Sequence, residues 1–410
     1  MTTSVVPLEC APEGASARKT KMEPKKSIAR FFKKYLFEGQ RFHDEGNEDG
    51  PKVVIPEDAD WMERFALNHR KLLGFCLPPM FMWTWWWIYA IKHDIFALYP
   101  IRYAMPITMA FGSFIGGMTC EGGGAIAFPV MTLILQINPT IARDFALMIQ
   151  SCGMTAAAAT ILYMGVALEW HSIVFCSLGA AFGIVIGIEF VDPYMSKAQK
   201  KMFFVSIWFS FACALCLLNT QKKRKTYLRI QMFNWWKAIV LVVTGFAGGV
   251  LTSFSGSGVC VCSFSILTLL FSINEKIATQ TSIILIANNV LVGFFWRAKI
   301  NETISQMAWE YWLCAAPVAA LTGPMGSFVG SFVHRQTLAC AVYLLETVAI
   351  IGGFIIVKPG IGLTIACAAI VIGGFGFFYC LSKIGIALLR TYPDEKQKNI
   401  TGLNAEAIQA

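Results

Sequence analysis

The sequence predicts an all-α polytopic membrane protein made of two inverted repeats, each a glycine-broken helical hairpin followed by three transmembrane helices, with one extra helix at each end. Three observations carry that expectation. The 410 residues are 56% hydrophobic and only 14% charged, with a mean hydropathy of +0.57, whereas a soluble domain carries about 25% charge. The apolar residues fall in blocks of about 20, the length that crosses a hydrocarbon core of roughly 30 Å. A glycine-rich segment near Gly122 also returns in altered form near Gly256. The formal net charge of +9, a nucleic-acid signal in a soluble chain, reads here as membrane topology, and no nucleic-acid partner is expected.

Residues 1–71 read as a charged cytoplasmic tail, partly disordered. They lack the apolar core of a cleavable signal peptide, so the first hydrophobic block is expected to remain as a span. Residues 18–37 hold eight Lys or Arg and one acid, and 27–37 read as a basic amphipathic helix that anionic lipid would attract. Residues 38–63 reverse the sign, with nine acids against two bases, the composition of a loose linker. The first transmembrane helix is placed in 72–99, repeat 1 in 100–219, a basic cytoplasmic loop in 220–237, repeat 2 in 238–357, the last transmembrane helix in 358–390 and a cytoplasmic tail in 391–410. Apolar blocks at about 72–91, 144–167, 171–190, 201–219, 279–297, 311–332, 336–357 and 361–382 each suffice for one crossing.

Between these blocks lie two irregular pieces, 103–137 and 238–272, each split by glycines into segments of about 13 to 19 residues, most of them short for a crossing. The pieces resemble each other. Gly112-Ser-Phe-Ile-Gly-Gly117, Glu121-Gly-Gly-Gly124, Met131-Thr-Leu133 and Ile137-Asn-Pro-Thr-Ile-Ala142 are followed about 132 to 136 residues later by Gly245-Phe-Ala-Gly-Gly249, Ser255-Gly-Ser-Gly258, Leu267-Thr-Leu269 and Ile273-Asn-Glu-Lys-Ile-Ala278. The chain is an internal duplication. Further on, Gly179, Gly183 and Gly187 match Gly323, Gly326 and Gly330, a small-residue stripe suited to close helix packing.

Orientation follows from the basic residues. If each split piece is a hairpin that leaves on the side it entered, and the N-terminus is cytoplasmic, the loop with Lys222, Lys223, Arg224, Lys225 and Arg229 falls inside. One broken span in each place would put that loop outside. The hairpin reading gives an odd number of full crossings per repeat, hence halves of inverted topology, as in many secondary transporters. Two short full helices per piece give the same parity. The triplet at Asn301 then lands outside as a glycosylation candidate, and the one at Asn399 falls in the cytoplasm.

Breaking a helix at membrane depth costs several kcal/mol per unsatisfied backbone group unless the break lines a cavity or meets a ligand. Gly122, Gly123 and Gly124, with Gly256 and Gly258, are therefore read as substrate-binding positions, each opening a half-helix whose positive end suits an anion. Tight helix crossing is the competing reading. Asn138 and Asn274 cap the next segments, and Thr132 and Thr268 occupy equivalent repeat positions as hydroxyl donors. Gln150, Ser151, Gln280, Thr281, Ser282, Asn288 and Asn289 are costly in lipid and are read as lining a polar path or bonding between helices. Arg143 and Asp144 read as an interfacial pair, and no basic residue is placed in mid-span, which leaves backbone, hydroxyl and amide donors for an anion.

The run Gly-Gly-Met-Thr-Cys-Glu-Gly-Gly-Gly-Ala-Ile-Ala-Phe-Pro129 with Ile-Asn-Pro-Thr-Ile-Ala142, repeated in degenerate form from Gly248 to Ala278, resembles the TauE/SafE sulfite-exporter-like family, its eukaryotic members more than its bacterial ones. The resemblance covers roughly residues 100–390. It implies a multi-pass transporter of small sulfur-containing or carboxylate anions such as sulfite or sulfonates. Glu121 departs from the pattern, standing where the family usually carries an apolar or small residue. An acid there repels an anion if ionised, so Glu121 is read as coupling proton movement, binding a cation, or facing an aqueous vestibule. Glu346 is the other acid in an apolar run and the second coupling candidate.

The function expected is thus secondary transport of a small anion by alternating access, in a plasma or internal membrane. A passive channel and a non-transporting receptor or scaffold are the alternatives. No Walker-type nucleotide loop is present. The histidines His43, His69, His93, His171 and His334 are scattered outside the spans, so no enzyme, metal site or cofactor is expected. Twelve of the 13 cysteines lie in or beside apolar stretches and read as packing residues. Oligomeric state is left open.

Overall fold

The structure, a computed structural model, describes residues 60–390 apart from Cys120, 221–225, 331, 332 and 334. The basic segment 27–37, Lys222 to Lys225 and Asn399 lie outside the described residues. The described chain is helical, and seven of its helices are long and apolar enough to cross a membrane. We label the principal helices α1 (Arg70–Lys92), α2 (Ala104–Met118), α3 (Gly124–Ile134), α4 (Pro139–Met164), α5 (Trp170–Tyr194), α6 (Lys197–Thr220), α7 (Trp235–Ser255), α8 (Val259–Leu270), α9 (Glu275–Ile300), α10 (Gln306–Gly330), α11 (Arg335–Val357) and α12 (Ile361–Arg390). Each of the eight apolar blocks is a helix. One segment departs from expectation: α7 runs 21 residues and is long enough to cross by itself. Its chain breaks only at Gly256, while Gly245, Gly248 and Gly249 stay inside the helix, where they let neighbours approach.

The backbone follows the same course after each break. α3 and α8 both end in a π-helical turn, Val130–Ile134 and Ile266–Leu270. The turns are closed by the same bonds, Leu135 N to Val130 O and Phe271 N to Ile266 O, then Ile137 N to Met131 O and Ile273 N to Leu267 O. Gln136 and Ser272 share a φ of 52°. Asn138 and Asn274 then cap α4 and α9, their side chains accepting from Thr140 N and Lys276 N, the role that a short amide side chain fills at a helix start.

Contacts fix the helix directions. α4 and α9 are antiparallel, since Asp144 meets Arg297 and Leu147 meets Gly293. α4 and α10 run parallel, Phe145 against Tyr311 and Gly153 against Ala319. So do α2 and α10, with Met109 beside Thr322 and Met118 beside Gly330. α5 runs parallel to α9, through Ser177 with Asn288 and Glu189 with Trp296. It also runs parallel to α7, through Gly179 with Val242 and Gly183 with Phe246. Within the described residues, α2, α4 and α5 therefore run opposite to their counterparts α7, α9 and α10.

The first helix of each broken piece packs on the fourth helix of the other repeat, α2 on α10 and α7 on α5, and glycine makes that possible. A Cβ at Gly183 would sit 2.1 Å from the Phe246 carbonyl oxygen, and one at Gly326 2.0 Å from that of Phe114. Backbones this close gain dispersion contacts that substitute for the hydrophobic effect in lipid. α1 is tied on by tryptophan. Pro317, inside α10, has no N–H to give the carbonyl four residues back, and Trp86 Nε1 donates to that Leu313 oxygen at 2.8 Å, while Trp83 Nε1 donates to Pro317 O at 2.8 Å. By contrast α12 is largely exposed, as expected for a helix facing lipid.

Candidate functional site

Both broken pieces are hairpins. Gly112 faces Ile126 and Gly116 faces Gly123 in the first; Gly248 faces Val259, and Val259 N donates to Thr252 Oγ1, in the second. The turns are made by Gly122 (φ +76°) and Gly256 (φ +79°), conformations that L side chains resist by roughly 1–2 kcal/mol.

The two tips meet. Ser257 Oγ donates to Glu121 O at 3.0 Å, and Cys260 Sγ to the same oxygen at 3.5 Å. Gln150, projecting from the middle of α4, lies between them. Its Nε2 donates to Gly256 O at 2.7 Å, and its amide is packed against Gly122 and Gly124 so closely that a Cβ on Gly124 would overlap it. Its Oε1 is buried without a hydrogen-bond partner among the described residues. Behind the second tip, Asn289 Nδ2 donates to Thr252 Oγ1 at 3.0 Å. Thus Gly122, Gly124 and Gly256 converge on Gln150, while Gly123 packs on Ser113 and Gly258 on Leu251 and Thr252 within their own hairpins.

Two carboxyls belong to this region. Glu121 is 2% exposed and Glu346, on α11, 3% exposed. Glu121 Oε1 and Glu346 Oε2 have no hydrogen-bond partner among the described residues, and the two groups lie within electrostatic reach of each other.

Other expected positions lie elsewhere. Thr132 and Thr268 sit up their half-helices and turn their hydroxyls onto Phe128 O and Phe264 O, one turn back. Asn138 and Asn274 are caps at helix ends. Ser151 donates to Met148 O within α4. Thr281 accepts from Glu169 N, Ser282 meets Ser263, and the exposed Asn288 donates to Ser177 Oγ, all bonds between neighbouring helices. Gln280 is buried, with Oε1 unpartnered among the described residues. Asn301 Nδ2 donates to Glu189 Oε1 at 2.9 Å.

Arg143 and Asp144 pair, Nε to Oδ1 at 2.8 Å, and are buried within the protein, 0% and 1% exposed. Arg143 Nη1 donates to Ser253 O at 2.7 Å, reaching the end of α7 just before the second tip. The apolar block begins at Asp144, but the helix begins at Pro139, which places Arg143 a full turn inside. The sequence carried the signal, since Asn followed by Pro marks a helix start.

The TauE/SafE sulfite exporter family matches residues 105–353. Searches of curated proteins and of solved structures returned no match. The matched span opens at the start of α2, contains both hairpins and everything between them, and closes near the end of α11, leaving α1 and α12 outside it. Covering more than half of the chain, it makes this protein a member of the TauE/SafE sulfite exporter family, multi-pass integral membrane proteins of anion transport.

Proposed function

We propose that the chain is a secondary transporter of small oxyanions, sulfite, sulfonates or short carboxylates, working by alternating access about the two hairpin tips. The observation that carries this reading is the junction itself. Tips from oppositely directed repeats meet through Ser257 and Glu121, with Gln150 bonded to one and packed on the other. Such a junction has few bonds to exchange when one repeat moves against the other, and the half-helices starting at Gly124 and Val259 aim positive ends towards it. Glu121 and Glu346 supply a place where a proton or sodium ion is held in one state and released in the other.

The test is flux in liposomes containing purified protein, with sulfite, methanesulfonate, acetate and sulfate compared under imposed proton, sodium or substrate gradients. Saturable flux with counter-transport supports the transporter. Flux that never saturates marks a channel, and absence of any anion flux or binding removes the proposal. Glu121→Gln is expected to keep anion binding while losing the dependence of flux on a proton gradient; retention of that dependence would exclude Glu121 from coupling.

A further inference from the structure

Arg143 lies at the centre of a buried charge cluster that spans the first repeat, the second hairpin and α9. Its Nε donates to Asp144 Oδ1 at 2.8 Å, and Nη1 donates to Ser253 O and lies 3.1 Å from Asp192 Oδ2. Asp144 is also gripped by Arg297, Nε to Oδ1 at 3.0 Å and Nη2 to Oδ2 at 2.9 Å. Lys200 Nζ is 2.6 Å from Asp192 Oδ1. All five side chains are buried. Outside the buried cluster, Glu189 is exposed, accepts from Trp296 and Asn301, and lies within electrostatic reach of Arg297. Within the buried cluster, three cations less two carboxylates leave one positive charge.

Two unmet demands coincide there. Arg143 Nη2 is buried without a hydrogen-bond partner among the described residues, and a buried guanidinium N–H left unmatched is costly. The excess charge is the second demand, for low-dielectric surroundings amplify any uncompensated ion. A water molecule meets the first alone. A singly charged oxyanion meets both, because it accepts from Nη2 and neutralises the cluster. The position also suits transport. Arg143 holds the chain just before the second tip through Ser253 O, and its own carbonyl lies against Gly256, so movement of that tip and access to Nη2 are linked.

We propose that Arg143 is the anion ligand of this transporter, and that the single excess charge around it selects singly charged oxyanions over dianions. The proposal rests on the anion-transport reading above. A sulfonate or carboxylate brings the cluster to neutrality, while sulfate overshoots to one negative charge. Arg143 binds, Asp144 and Arg297 orient it, and Lys200 and Asp192 set the local charge. The hydroxyls of Ser255 and Ser257 are already committed to backbone oxygens of the tip, Ser257 O and Glu121 O, which leaves Arg143 Nη2 as the donor.

The experiment compares methanesulfonate flux, and its inhibition by sulfate, in liposomes with the wild type, Arg143→Lys, Lys200→Met and Asp192→Asn. Arg143→Lys is expected to raise the KM for methanesulfonate about tenfold or more, the effect of losing one charge-assisted hydrogen bond. Lys200→Met removes the excess charge without touching Nη2, and is expected to weaken methanesulfonate about tenfold while leaving sulfate no better. Asp192→Asn raises the excess, and is expected to strengthen sulfate inhibition relative to methanesulfonate. A network that is only structural changes the amount of folded protein but leaves the methanesulfonate-to-sulfate ratio constant across all variants, and that result overturns the proposal. Should the variants fail to fold, thermal stability of the wild type decides: methanesulfonate is expected to raise Tm and sulfate to leave it unchanged, and equal effects, or none, overturn the assignment. Wild-type liposomes carrying no anion would instead sink the transport reading itself.

Discussion

The two hairpin tips have the same backbone and different chemistry. Both turn on a glycine at positive φ, both continue into a short helix ending in a π-helical turn, and both hand the chain to a helix capped by asparagine. Yet the first tip carries Glu121, whose Oε1 has no hydrogen-bond partner among the described residues and which lies within electrostatic reach of a second buried carboxyl on α11. The second carries Ser255 and Ser257, whose hydroxyls donate to backbone oxygens, and it leans on Arg143. The duplicated element is the frame, and the charges added around it make one side acidic and the other basic. A duplicated frame supplies opposed half-helices; the divergence supplies different charges around them.

The charge divergence is the place where a single change has the largest expected effect. Arg143 and Asp144 correspond to Thr279 and Gln280 in the second repeat. Asp144→Asn takes the buried Arg297 from its carboxylate partner and leaves Arg143 with Asp192 alone, and removal of one partner from a buried ion pair costs about 3–5 kcal/mol. Folded yield and Tm in detergent are expected to fall sharply. Gln280→Leu, at the matching position, removes a side chain whose Oε1 has no hydrogen-bond partner among the described residues, and is expected to be nearly neutral. Equal losses in the two variants would mean that the cluster is no more important than its uncharged counterpart.

A smaller difference is expected between the glycines. Gly122→Ala and Gly256→Ala share the cost of positive φ, about 1–2 kcal/mol. They differ in what the new methyl meets. At Gly122 it meets Gln150 Oε1 at 2.5 Å, the far end of a side chain that can turn. At Gly256 it meets Ala146 Cβ at 2.5 Å and the Arg143 carbonyl oxygen at 3.0 Å, neither of which can move without shifting α4. Overpacking against fixed backbone adds roughly 1–3 kcal/mol, so flux is expected to fall about tenfold further for Gly256→Ala than for Gly122→Ala. Equal losses would mean that only the turn conformation matters.

Much of this architecture was legible in the sequence, and the physical reason is periodicity. Helices needing about 20 apolar residues leave a strong trace, and Asn138 and Asn274 announce helix starts by chemistry that acts within two residues. The glycine-broken segments were visible for the same reason. What distance along the chain hides is convergence. Nothing near Gln150 says that its amide reaches Gly256, because the bond joins residues 106 apart. Arg143 was hidden differently: hydropathy draws its block from Asp144 onward, so a charged pair at the margin looks superficial, although partners from α5, α6, α7 and α9 bury it. Conversely Thr132 and Thr268 looked available because sequence shows a hydroxyl but not the carbonyl one turn behind it.

Those two threonines give the finest test of the symmetry between the tips. Each hydroxyl donates to the carbonyl four residues back, Phe128 at 2.8 Å and Phe264 at 2.6 Å, beside a π-helical turn. Thr132→Val and Thr268→Val keep the shape and remove that donor, so each is expected to lower stability by about 0.5–1.5 kcal/mol, with the KM for anion unchanged. The first repeat carries one added constraint, because Lys201 Nζ donates to Thr132 O at 2.6 Å, but that bond uses the backbone and survives the substitution. The two variants should therefore match each other in Tm and in flux. A rise in KM confined to one of them would mean that its hydroxyl leaves its own helix to meet the anion, and that the ligand climbs that half-helix beyond the tip.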